Sequence, residues 1–314
     1  MRVPLTLCVL ALSLIAQDGP ERTIVGRLSL ESFKAHIQGL SQFGDREQGT
    51  DRNRAAIDWL ETQLRAFGYN VERHRFLSRS GPLENIYATK IGSVNPGEMY
   101  LVSAHMDGRG GGEAADDDAS GCAVVLEIAR VLASVPTDRS VRFIFWNNEE
   151  FGMDGSGTYA SERAPLQGQP GEPKWLGIIQ HDMMMYDHGF PPRAAQSSSA
   201  DINVEYQRSS TKGAESAQLA QAFQAANRSL ALRYPVTIGA NMAGTDSIRF
   251  EDLIPSISIR EAERVTGIVR GSNPHHHEPT DKYETYAEED FLLGFAAAQT
   301  SLMGLGRLAG VALR

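Results

Sequence analysis

A chain of 314 residues, 41% of them hydrophobic, is long enough to bury one large core or two small ones. Its net charge of -9 and pI near 5.4 argue against nucleic acid or an anionic membrane as the principal partner. The composition carries neither a fibrous nor a disordered bias.

The first element in chain order is a targeting segment. Arg2 precedes the almost wholly apolar stretch Leu5 to Ala16, and Gln17-Asp18-Gly19-Pro20 closes it. That stretch is too short to span a bilayer, so residues 1–16 read as a signal peptide and residues 17–314 as a single domain, with a secreted or periplasmic location expected. Cleavage there removes Cys8 and leaves Cys122 alone, so no internal disulfide is expected and Cys122 should pack on a helix as a small hydrophobe. Leu30 to Phe67 has helical spacing, broken by the polar loop Ser41 to Thr50 and stopped at Gly68. Strands are expected at Tyr69–Phe76, Asn85–Lys90, Met99–Ala104, Val141–Trp146, Trp175–Gln180 and Ile254–Ile259, and helices at Ala119–Ala133 and Ala214–Ala226. Phe291 to Leu313 is interrupted by Gln299, Ser301 and Arg307, and reads as a buried C-terminal helix, with no membrane anchor. Alternating strands and helices predict an α/β fold, a three-layer α/β/α sandwich around a mixed, mostly parallel sheet.

The candidate chemistry sits at the strand ends. His105, Glu149-Glu150 and Asp182 each follow an expected strand, and ligands of open α/β sheets bind beyond the strands' carboxyl ends. Asp116-Asp117-Asp118 gathers three carboxylates that call for a counter-charge, for which a metal ion is the natural choice. One member can bridge two metals through its two oxygens, Asp118 can cap the helix starting at Ala119, and Asp116 can simply be solvated. Asp107, two residues after His105, is placed to accept the proton of the imidazole's other nitrogen. Of Glu149 and Glu150, one can bind metal while the other faces water as a general base. His181 rivals Asp182, but charge balance favours the carboxylate. In His275-His276-His277, the last is preferred because Asp281 follows at i+4 to support it. Two histidines and three carboxylates with a spare glutamate suit zinc.

Five segments, taken in order, resemble the di-zinc aminopeptidase family of the bacterial leucyl aminopeptidase and aminopeptidase Y type. They are Ser103-Ala104-His105-Met106-Asp107, Ala115-Asp116-Asp117-Asp118-Ala119-Ser120-Gly121, Asn148-Glu149-Glu150-Phe151-Gly152-Met153-Asp154-Gly155-Ser156, Gln180-His181-Asp182-Met183 and His277-Glu278-Pro279-Thr280-Asp281. The resemblance implies two zinc ions, His105 and Asp182 on one, Glu150 and His277 on the other, and Asp117 bridging. It also implies Glu149 as general base, Asp107 in support, a cis Asp117–Asp118 peptide, and a peptide substrate with a free N-terminus. Met153 replaces the family's usual Leu, only Gly244-Thr245-Asp246-Ser247 matches in the specificity region, and Met183 is a candidate pocket residue. Rival readings are a glutaminyl cyclase-like acyltransferase with one zinc, a carboxypeptidase using Arg249 or Arg260 as a cationic pocket, and a binding module that kept only the fold.

Overall fold

Alternate side chains of the central strands go to opposite faces of one sheet, as the two-residue repeat of an extended chain requires. In β3 (Asn95–His105) and β4 (Arg139–Trp146), Val102, Ala104, Phe143 and Phe145 face one hydrophobic cluster, while Met99, Leu101, Ile144 and Trp146 face another. A sheet apolar on both faces must be covered on both. In this computed structural model, which describes residues 19–79, 81–187, 202–261 and 273–313, helices lie on both. The expected signal peptide lies outside the described residues.

The larger cluster is closed by α2 (Leu30–Ser41), α3 (Asp51–Ala66), α4 (Gly121–Leu132), α6 (Gly213–Leu230) and α7 (Glu288–Ala309), with the short α1 (Pro20–Val25) alongside α7. Tyr159 and Ala160 of α5 (Asp154–Arg163), with Phe250 and Ile254, close the smaller one. Cys122 is a free, buried residue of α4, as expected. Among the described residues no helix is long and apolar enough to cross a membrane, and α7 is a core helix.

The sheet holds eight strands: β1 (Val71–Ser78), β2 (Gly81–Lys90), β3, β4, β5 (Lys174–His181), β6 (Ile202–Glu205), β7 (Val236–Gly239) and β8 (Ser256–Arg260). Their order is β1-β2-β4-β3-β5-β8-β6-β7. The four central strands β4, β3, β5 and β8 run parallel, and β2 and β6 flank them antiparallel. The three-layer mixed α/β sandwich is therefore as expected. β6, β7, α1 and α5 have no counterpart among the expected elements.

Parallel neighbours end together. His105 pairs in register with Trp146, Ser103 with Gln180, and His181 with Ile259. The residues that follow β3, β4 and β5, together with Arg260 at the end of β8, share one rim of the sheet.

Candidate metal centre

A cavity of about 350 Å³ opens at that rim, lined among others by His105, Asp117, Glu149, Glu150, Asp182 and His277. All six are residues that the sequence had singled out, and they come from three strand ends and two loops. The β3–α4 loop crosses the rim and brings in Asp117. Gly110 lets this loop lie against the His277 backbone: its φ is +99°, and a β-carbon there would come within 2.5 Å of the His277 carbonyl. His277 itself has a positive φ of 59°.

Asp117 occupies the centre. Its Oδ1 is 3.1 Å from His105 Nε2, and its Oδ2 is 3.2 Å from His277 Nε2. Glu150 Oε2 lies 2.8 Å from His277 Nε2. Ligand atoms of His105, Asp117 and Glu150 lie within 4.8 Å of one another, and so do those of Asp117, His276 and His277. The two groups share Asp117. Ligands about 2.0–2.2 Å from a tetrahedral zinc are separated by about 3.3–3.5 Å, so these spacings are close to the edges of such a site. The hydrogen-bond chemistry agrees. His105 Nδ1 lies 3.0 Å from the Asp107 carbonyl oxygen, which can only accept, so the proton belongs on Nδ1. Nε2 then turns a lone pair toward a carboxylate, an arrangement that calls for a cation or a second proton between them. The donor set therefore fits divalent metal.

The electrostatics carry the same message. Burial opposes charge on His105, but Asp118, Asp117 and Glu149 outweigh it and raise its pKa well above the usual value. Burial also opposes the charge on Asp117, yet the three facing histidines hold it well below the carboxylate range. Glu149 is pushed well up, first by burial and then by Asp182, Asp246 and Glu150 against the pull of His105. Asp182 lines the cavity, and its carboxylate is ion-paired with the buried Arg260. Among the described residues it belongs to neither three-residue group, and nor does Glu149. His181 is buried away from the cavity, with Nε2 on Ser301 Oγ at 2.8 Å, and burial lowers it to about 4.

Several supporting roles differ from expectation. The Asp107 carboxylate is 3.9 Å from His105 Nδ1 and accepts instead from the Glu149 and Glu150 amides, at 3.1 and 3.3 Å. The carbonyl of Asp107 holds the imidazole, while its side chain holds the glutamate loop. Asp281 does not support His277. It accepts from the Asp116 and Asp117 amides at 2.9 and 3.2 Å and from the Tyr286 hydroxyl at 2.8 Å. Asp116 is fully buried rather than solvated, accepting from Met185 N–H and Asn273 Nδ2 at 2.8 Å each. Asp118 accepts from the amides of Gly121, His105 and Met183, at 2.9, 3.2 and 3.2 Å, which ties the start of α4 to two strand ends. The Asp117–Asp118 peptide is cis. Met153 lines the cavity, whereas Met183 is buried and outside its lining. Arg249 donates to the Gly152 carbonyl at 2.6 Å. Neither Arg249 nor Arg260 lines the cavity, but Arg109 does.

Two contributors escaped the sequence reading. Arg46, fully buried, donates to the carbonyls of Met106, Gly44, Glu113 and Ala114 at 2.6–3.1 Å. It fastens both ends of the β3–α4 loop and places a positive charge beside Asp281, Asp118 and Asp107. Arg109 Nη2 lies 2.6 Å from His277 Nδ1, and its Nε 3.4 Å from Glu150 Oε2. Both arginines lie in Gly-containing loops, and their partners at the site are distant in sequence.

Comparisons with known proteins bear on the family and the fold. The model of Peptidase family M28 matches residues 85–298. Leupeptin-inactivating enzyme 1 of Streptomyces exfoliatus is 30% identical over 153 residues, covering 45% of this chain and 35% of that protein. The aligned part is thus about a third of such a relative's length. Aminopeptidase YwaD of Bacillus subtilis is 45% identical over 62 residues, 20% of this chain and 14% of that one. Among solved structures, an aminopeptidase from Aneurinibacillus sp. strain AM-1 superposes with a TM-score of 0.72 at 17% identity, covering 92% of this chain and 96% of that one. Porphyromonas gingivalis glutaminyl cyclase superposes with a TM-score of 0.72 at 23% identity, covering 90% and 99%. These two likenesses establish the fold alone.

Proposed function

We propose, from the premise that the chain belongs to peptidase family M28, that it is a di-zinc exopeptidase which removes N-terminal residues from peptides. The observation that carries the reading is Asp117, whose two carboxylate oxygens face separate histidines, His105 at 3.1 Å and His277 at 3.2 Å. His105 and Asp182 would hold one ion, Glu150 and His277 the other, and Asp117 both. When bound, the ions supply Lewis-acid polarisation of a carbonyl and acidification of water.

The chain's own residues do the rest. Of the two glutamates that line the cavity, Glu150 joins His105 and Asp117 in a candidate ligand group, so the Glu149 carboxylate is left to take a proton from the attacking water and return it to the leaving amine. Asp107 fixes Glu149 and Glu150 together through their amides. The acidic lining favours a free α-amine, which restricts cleavage to chain ends. Hydrolysis of a panel of free and N-blocked aminoacyl substrates, with and without chelator, tests this. Chelator-sensitive cleavage of the free-amine substrates is expected, and cleavage of blocked substrates only would overturn the aminopeptidase reading.

One observation favours a second reading. Arg260 engages Asp182, which weakens one of the two poles as a metal site. A single-zinc acyltransferase of the glutaminyl cyclase kind would need only one. Counting zinc at saturation separates the two, with two ions per chain expected here.

A further inference from the structure

We propose that His276 is itself a metal ligand, so that the pole opposite His105 is built from two adjacent imidazoles. The proposal rests on the reading that this cavity holds divalent metal. His276 Nε2 lies 3.2 Å from Asp117 Oδ2, the same separation as His277 Nε2 from that oxygen. The two rings lie 3.7 Å apart at 36°, so both nitrogens converge on one carboxylate oxygen.

His276 Nε2 is also buried, and apart from its approach to Asp117 Oδ2 it has no hydrogen-bond partner. A buried polar atom left in that state is costly, and folded proteins rarely leave one without a full set of partners. Here the missing partner is supplied by a cation that Asp117 already requires.

His277 is less ready to bind than its neighbour. Its Nδ1 is 2.6 Å from Arg109 Nη2, and a guanidinium can only donate. Nδ1 must therefore accept, which leaves the proton on Nε2, directed at Glu150 Oε2 2.8 Å away. A ligating imidazole normally does the reverse, keeping Nε2 bare and handing its Nδ1 proton to an acceptor. His277 can coordinate only once Arg109 has withdrawn, whereas Arg109 places no such restriction on His276. Adjacency in the histidine run is not the reason, because His275 turns away and places its Nδ1 2.8 Å from Thr280 Oγ1.

The test is zinc titration of the full, metal-stripped chain against a chelator of known affinity, with the number of ions bound per chain measured in parallel. His276→Ala should weaken the affected ion by at least about tenfold. His275→Ala should leave affinity unchanged. His277→Ala should retain measurable binding at that pole. Loss of a nitrogen ligand in His276→Ala should also shift the visible absorption of the cobalt-loaded protein. Thermal melts of the metal-stripped variants, expected to coincide, check folding. A zinc affinity for His276→Ala within twofold of the unaltered chain would overturn the assignment. The stoichiometry of the unaltered chain tests the two-ion reading separately. One ion whose affinity falls in His276→Ala would sink that reading and keep His276 as a ligand, whereas no bound zinc would overturn both.

Discussion

Glu149→Gln separates a general base from a ligand. The substitution keeps the side chain's shape and the backbone contact to Asp107 at 3.1 Å, and removes only the ability to take a proton. A positioned general base contributes about 10²- to 10⁴-fold, so kcat should fall by that factor, about 2.7–5.4 kcal/mol of barrier. Bound zinc should stay at the unaltered value, because it is the adjacent Glu150 that joins His105 and Asp117 as a candidate ligand. Stability of the metal-free protein should move in the opposite direction to activity. Burial, Asp182, Asp246 and Glu150 all disfavour the Glu149 carboxylate and raise its pKa, so its ionisation at neutral pH costs folding free energy that glutamine does not. Urea denaturation of the chelated variant at pH 7 should therefore give a midpoint at or above the unaltered one. That difference should vanish below pH 4, where the carboxyl is protonated folded and unfolded alike. A kcat within tenfold of the unaltered chain, or a lost ion, would show that Glu149 is not the base.

Arg46→Met should destabilise the fold by roughly 3–5 kcal/mol in urea, since it strips the buried donors from four carbonyls, and a loss under 1 kcal/mol would refute its role as the loop's fastening. Glu127, buried on α4, is held at about 2 against burial by Arg130, His36, Ser32 and the Ser29 amide. Its folded pKa lies below the unfolded value of about 4.3, so about 3 kcal/mol of stabilisation is complete well above pH 4.3, roughly halved near pH 3, and lost as pH falls through about 2. Glu127→Gln should therefore be markedly less stable at pH 7 and much closer to the unaltered chain at pH 3, and an equal gap at both would count against the linkage. Arg109→Ala removes a cation from His277 and Glu150, so zinc should bind about tenfold more tightly by chelator competition, and weaker binding would mean that Arg109 organises the site instead of obstructing it.

The parts of this protein that were legible in its sequence are those whose signal is local. β3, β4 and β5 contain apolar runs, each followed within three residues by an ionisable candidate ligand, so element and ligand announce each other. β6 (Ile202–Glu205) and β7 (Val236–Gly239) are four residues each, and β6 carries Asn203 and Glu205 into the interior. No apolar run marks them. α5, DGSGTYASER, has too many small and polar residues to show a helical stripe. Partner choice around the site was opaque for a related reason. The amides bound by Asp281 belong to residues 164 and 165 positions away, and the carbonyl of Met106 bound by Arg46 is 60 positions away. Proximity in sequence pointed Asp107 at His105 and Asp281 at His277, but the fold gave both carboxylates backbone amides that no local pattern reveals.

That division changes what the triple aspartate implies about metal. Three adjacent carboxylates look like three charges in search of cations, yet of the three only Asp117 lines the cavity, between His105 and His277. Burial and the Asp281 charge push Asp116 up to about 7, so near neutrality it carries its proton much of the time. Asp118 is also raised, chiefly by burial, and spends its oxygens on three amides. Arg46 adds a fixed positive charge beside the loop. Asp117 is thus the member of the run that faces the cavity. The remaining demand for a cation comes from groups far away in sequence, Glu149 and Glu150 after β4 and Asp182 after β5. Asp182 already has Arg260, and Glu150 has Arg109 within 3.4 Å. The pull on a second ion is thus governed less by the density of aspartates than by whether Arg109 releases His277 and Glu150, with His276 already in place to receive the metal when it does.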